Sequence, residues 1–125
     1  MTERKPIILY IDDDQDALDG LRIVLEANDY EMIEARSGEE GLKVFELRSP
    51  DLVIVDLMME EVDSGTAFVK ELKILGADVP IYLLSSVGDS MSMTTDYSSL
   101  GLAGVFQKPI HMGTLLTVLK TKLGR

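Results

Sequence analysis

Four groups of residues in this 125-residue chain could do chemistry together. Asp12, Asp13 and Asp14 close one apolar run, Asp56 closes a second, Ser85 and Ser86 a third, and Lys108 follows a fourth. Carboxylates gathered within a few ångströms cannot all stay ionised unless a cation neutralises them. A donor set of oxygens without His or Cys suits a hard divalent ion such as Mg²⁺. Mg²⁺ commonly shares its ligands with a phosphate, and a nearby hydroxyl and ammonium would bind the remaining phosphoryl oxygens. Asp56 has no acidic neighbour in the chain, which makes it the better nucleophile for a covalent aspartyl-phosphate. Asp14 has a simpler use as a helix N-cap, because strand-to-helix turns call for one.

The elements that must position these side chains follow from hydrophobic periodicity. Ile7 to Ile11, Leu52 to Val55, Ile81 to Leu84 and Ala103 to Phe106 are short apolar runs of buried-strand type, and Tyr30 to Ala35 alternates as a further strand. Between them the period changes to the helical one. Ala17, Leu18, Leu21, Val24 and Leu25 share a helix face, and Asn28 and Asp29 give a stop. Ser37 to Glu40 is an S-x-x-E capping box opening a helix with Gly41, Val44 and Phe45 inward, which Pro50 ends. Ser64 can cap a helix with Phe68, Leu72 and Leu75 inward and Gly76 as its stop. Residues 87–101 are rich in Ser, Thr and Gly and predict only a short or loose helix, whereas Met112, Leu115, Leu116, Leu119 and Leu123 line a C-terminal one.

Strands alternating with helices predict an α/β doubly wound (βα)₅ fold, a five-stranded parallel sheet with helices on both faces. In such sheets ligands sit beyond the carboxyl ends of the strands, where strand order reverses. That rule brings the four chemical groups to one end of the sheet.

Composition narrows the function classes. The 22 acidic and 12 basic residues give a formal net charge of −10, which repels phosphate backbones and argues against nucleic-acid binding by this chain alone. Zero cysteines exclude disulfides, thiolate metal sites and cysteine nucleophiles, and fit a reducing cytoplasmic compartment. The longest apolar runs are far short of the ~20 residues of a membrane-spanning helix, so no membrane role is expected. His111, the single histidine, reads as a surface or capping residue at a helix start.

The blocks Y-I-D-D-D at 10–14, D-L-V-I-V-D-L-M at 51–58, L-L-S-S at 83–86 and Q-K-P at 107–109 resemble, in order and spacing, those of the bacterial response-regulator receiver domain. The resemblance implies a flavodoxin-like sheet of order 2-1-3-4-5 and one receiver domain over residues 1–125. It also implies two-component or phosphorelay signalling, in which a sensor histidine kinase or phosphotransfer protein phosphorylates Asp56. Asp13 would then be the direct Mg²⁺ ligand beside Asp56. Asp12 would act partly through water, and the Met58 backbone carbonyl would complete the set. Ser85 would hydrogen-bond the phosphoryl group and Lys108 would pair with it, ahead of a cis peptide at Pro109. Met58 and Val87 would gate the hydrolytic water, and their bulk predicts slow self-dephosphorylation. Output would pass to a downstream protein or domain, or through a phosphorylation-dependent homodimer, rather than by turnover of a free substrate as in a conventional enzyme.

Two departures bear on switching. Glu60 stands where the family often has proline. Val105 stands three residues before the lysine, where the family commonly has Tyr or Phe, while Phe106, one position later, should face the other side of the sheet. Switching would then either use other residues of the 87–106 surface or be weakly coupled to phosphorylation, with Ser86, Val87, Val105 and Pro109 as the switch candidates. One alternative is a pseudo-receiver or dimerisation module with weak phosphorylation-coupled switching. Another is a Mg²⁺-dependent aspartyl-phosphate phosphatase or phosphotransferase, which would want a second acid where Met58 stands.

Overall fold

The computed structural model describes residues 5–56, 64–75, 78–85, 102–108 and 110–124. Five strands, β1 (Ile7–Ile11), β2 (Glu31–Ala35), β3 (Leu52–Asp56), β4 (Ile81–Ser85) and β5 (Gly104–Gln107), form one sheet. Its order is β2-β1-β3-β4-β5 and the paired strands run parallel. Four helices are described: α1 (Gln15–Ala27), α2 (Gly38–Arg48), α3 (Ser64–Ile74) and α4 (Met112–Leu123).

Every residue of β1, β3 and β4 is buried. The pleat sends alternate side chains to opposite faces, so each of these strands feeds two cores. Ile7, Leu9, Val53 and Leu83 face one core, with Val69 and Leu72 of α3 and partly buried Phe45 of α2. Ile8, Tyr10, Ile54 and Leu84 face the other, with Leu18 and Leu25 of α1 and Leu115 and Leu119 of α4. Each fully buried Leu or Ile contributes about 1.5–3 kcal/mol. These two layers are what fix the strand ends.

Local caps open α1, α2 and α4 close to where the sequence predicts, whereas Ser64 is the first residue of α3 rather than its cap. The Asp14 carboxylate accepts from the Asp16 N–H to open α1. Ser37 Oγ accepts from the Glu40 N–H at 3.1 Å, but the Glu40 carboxylate reaches back to the Arg36 N–H rather than to Ser37. The capping box thus closes one residue early. His111 Nδ1 accepts from the Thr114 N–H at 3.2 Å, which makes the single histidine the N-cap of α4.

Three expectations are corrected. Leu75 lies past the end of α3 and is 49% exposed, and Val69 takes the inward place beside Leu72. Met112, in the uncovered first turn of α4, is also exposed. The last strand runs one residue later than its apolar run, because Ala103 is spent on the turn whose N–H bonds Ile81 O. The predicted loose helix over 87–101, the Gly76 stop, the Phe68 side chain and residues Met58, Ser86, Val87 and Pro109 lie outside the described residues.

Candidate functional site

Strand order reverses between β1 and β3, where chain continuity requires connections to leave in opposite directions and so leaves a crevice. Asp12 and Asp13 leave the end of β1 on one side of it, and Asp56 is the last residue of β3 on the other. Asp12 is fully buried and Asp56 is 2% exposed, while Asp13 is half-buried. One carboxylate oxygen from each of the three lies within 4.8 Å of the others.

Asp12 is held tightly. Its N–H donates to Ala35 O at 3.1 Å, adding one rung to the β1–β2 ladder. Its Oδ1 accepts from the Asp14 N–H at 3.0 Å, and its Oδ2 accepts from the Tyr10 hydroxyl at 2.5 Å.

The cation of the site comes from the far strand. Ser85, at the end of β4, is 2% exposed, and its carbonyl accepts from the Lys108 N–H at 2.7 Å. That bond starts Lys108 beside β4, and its side chain crosses toward β3, placing Nζ 3.2 Å from Asp56 Oδ2 and 3.6 Å from Asp12 Oδ2. Burial alone would pull the lysine down. The charges of Asp56 and Asp12 and their hydrogen bonds more than offset it, so the ammonium is held above its ordinary value. Tyr10 is pushed up, first by burial and then by its bond to Asp12, and stays a neutral donor.

Among the described residues, Asp12 and Asp56 therefore face the Lys108 ammonium, with Asp13 beside them. Oxygens in an octahedral Mg²⁺ shell, with bonds of about 2.0–2.1 Å, stand roughly 3–4 Å apart. The spread of the three aspartates needs only slight contraction to meet that, and the all-oxygen donor set is the hard type Mg²⁺ takes.

The response regulator receiver domain family model matches residues 8–120. The chain belongs to the response-regulator receiver family. Curated relatives agree. The "Probable transcriptional regulator ycf27" of Pyropia yezoensis is 38% identical over all of this chain and 50% of its own length. "Response regulator MprA" of Mycolicibacterium vanbaalenii is 32% identical over 94% of this chain and 50% of its own length. The chain thus spans about half the length of these relatives. Among solved structures, a response regulator receiver domain protein from Clostridium thermocellum has a TM-score of 0.83 at 26% identity, covering 96% of this chain and 95% of its own. The chemotaxis response regulator CheY4 of Vibrio cholerae has a TM-score of 0.81 at 26% identity, covering 94% and 98%.

As a receiver domain of two-component systems, the protein has the acidic pocket at which this family binds Mg²⁺. Asp12, Asp13, Asp56, Ser85 and Lys108 all lie at the carboxyl end of the sheet. Val105 does not join them: it is 41% exposed on β5. Phe106 turns to the opposite face and stacks on Tyr82, ring centroids 5.0 Å apart. Two residues near the site have no assignment in the sequence reading. Tyr10 could have been found from strand period, since i and i+2 share a face. Arg36, whose Nη2 donates to the Asp13 carbonyl at 3.1 Å, could not, because only the tertiary fold sets the end of β2 beside that loop.

Proposed function

We propose that residues 1–125 work as one phosphoacceptor unit in which Asp56 takes a phosphoryl group from a sensor histidine kinase or phosphotransfer protein. The observation that carries this reading is the convergence of three aspartate oxygens within 4.8 Å, with the Lys108 ammonium 3.2 Å from Asp56. An Asp56 carboxylate oxygen attacks the phosphorus in line. A new O–P bond forms as the donor's P–N bond breaks, and the electron pair leaves with the donor imidazole. Asp13 and Asp56, with Asp12 partly through water and the Met58 carbonyl, would hold Mg²⁺. Bound there, Mg²⁺ supplies positive charge against the phosphoryl oxygens.

Lys108 binds a phosphoryl oxygen and keeps charge balance when Asp56 stops being a free carboxylate. Ser85 donates its hydroxyl to another. The product acyl phosphate is read through protein contacts, for which Val105, 41% exposed on β5, is open. The two curated relatives, each about twice this length, are named as regulators, which supports an output domain or partner downstream.

Acetyl phosphate with Mg²⁺, followed by intact mass, tests this. One added phosphoryl group is expected, absent without Mg²⁺ and absent in Asp56→Asn. A group that survives Asp56→Asn would refute the assignment. The exposed, non-aromatic Val105 favours a second reading, a receiver that is phosphorylated but weakly switched. Phosphorylation with no change in self-association or amide exchange over 87–106 would select it.

A further inference from the structure

Asp12 is the most enclosed carboxylate of the site, and both of its oxygens are already engaged by this chain. A carboxylate at zero exposure is strongly destabilised unless donors compensate it. The Asp14 N–H serves Oδ1. Lys108 stands 3.6 Å from Oδ2, farther than it stands from Asp56, so the short bond to that oxygen is the Tyr10 hydroxyl at 2.5 Å. Tyr10 is 2% exposed among Ile8, Leu18 and Ile54, a setting an apolar side chain would fill as well. What the phenol adds is one neutral donor aimed along the strand at the acid two residues on.

A hydrogen bond to a carboxylate oxygen spreads its charge and occupies a lone pair that a cation would otherwise use. We propose that Tyr10 is a positioning residue of the acidic site, whose hydroxyl holds Asp12 Oδ2 as an outer partner of the cation and so limits Mg²⁺ affinity. The proposal rests on the reading that Mg²⁺ is held by these aspartates. It concerns how tightly the site loads rather than whether Asp56 reacts. Without the hydroxyl, the buried Asp12 charge in the metal-free protein is less compensated, and Mg²⁺ gains by neutralising it.

Calorimetric titration of the whole chain with Mg²⁺ tests this in wild type and Tyr10→Phe, a change that removes one oxygen and keeps the ring. Tyr10→Phe is expected to bind Mg²⁺ roughly three- to ten-fold tighter, the size of a typical net hydrogen bond. Its metal-free form should melt at a lower temperature. In an Asp12→Asn background the same change should leave the affinity within about two-fold, since the acid through which it acts is gone. Wild-type protein supplies a further readout: its near-ultraviolet tyrosine band should shift on adding Mg²⁺, and that shift should vanish in Tyr10→Phe. Equal or weaker binding by Tyr10→Phe, or a gain that persists with Asp12→Asn, would overturn the role of Tyr10 and leave the phosphoacceptor reading standing. Wild-type protein that takes up no Mg²⁺ would overturn both.

Discussion

The strands that carry the acids and the strand that leads to the lysine are built on opposite plans. β1 and β3 lie inside the sheet with every residue buried, so both faces of each are locked by a core. β5 lies at the edge, is four residues long and alternates half-buried with exposed. Two strand spacings, roughly 9–10 Å, separate β5 from β3, and the Lys108 side chain bridges them. The acids are therefore placed by rigid packing and the lysine by a flexible stem from a wetter strand. The contrast teaches that a change of charge at Asp56 can be felt at β5 through a single side chain, without moving the core that holds the acids.

Removing that bridge should have the largest effect on stability. Lys108→Ala leaves Asp12 and Asp56 buried without their ammonium. Urea denaturation should show a loss of about 1–3 kcal/mol, below the full penalty for a buried pair because the lysine is about one third exposed. Saturating Mg²⁺ should recover part of the loss, since the cation neutralises the same carboxylates. The pH dependence has a definite sign. The value of Lys108 is raised in the folded state, so its stabilisation is complete below the ordinary 10.5 and is lost as pH rises through the folded value. The stability gap between wild type and Lys108→Ala should thus hold level through neutral pH and narrow only in strong alkali.

A change confined to the β5 side should be smaller and should spare the chemistry. A Cβ added at Gly104 would meet the Tyr82 ring at 3.0 Å, and that ring stacks on Phe106. Gly104→Ala should cost about 1–2 kcal/mol in thermal or urea unfolding, while the extent of acetyl phosphate labelling at Asp56 stays at the wild-type level. Loss of labelling would show that the edge strand also shapes the acidic site. Smallest of all, Val105→Ala should change stability by less than about 0.5 kcal/mol, because the side chain is 41% exposed. A larger loss would mean that Val105 has a packing partner and that β5 is less separate from the interior than its exposure indicates.

The legible part of this protein is the part written in local periodicity. The apolar runs ending in Asp12, Asp56 and Ser85 mark both strands and site, since a strand buried on both faces meets apolar partners until its carboxyl end, where Lys108 can offset a buried carboxylate. Boundaries slip where the predicted local signal meets a competing partner, distant or near in the chain. The Ala103 N–H is taken by Ile81 O and shifts β5 by a residue, and Glu40 prefers the Arg36 N–H to that of its own capping box. Leu75 looks inward by spacing but stands beyond the helix that would have carried it there.

By itself the sequence determined the alternation of elements, the acids at the strand ends and the family to which they belong, because each is a property of neighbours along the chain. Only the tertiary structure decided which oxygen meets which donor. Lys108 and Asp56 are 52 residues apart, and Arg36 and Asp13 are 23 apart. Their distances are set by strand order and register, which no local segment contains. Tyr10 and Asp12 stand between these cases. The strand period puts them on one face, but burial in a folded sheet is what makes the phenol's single hydrogen bond count.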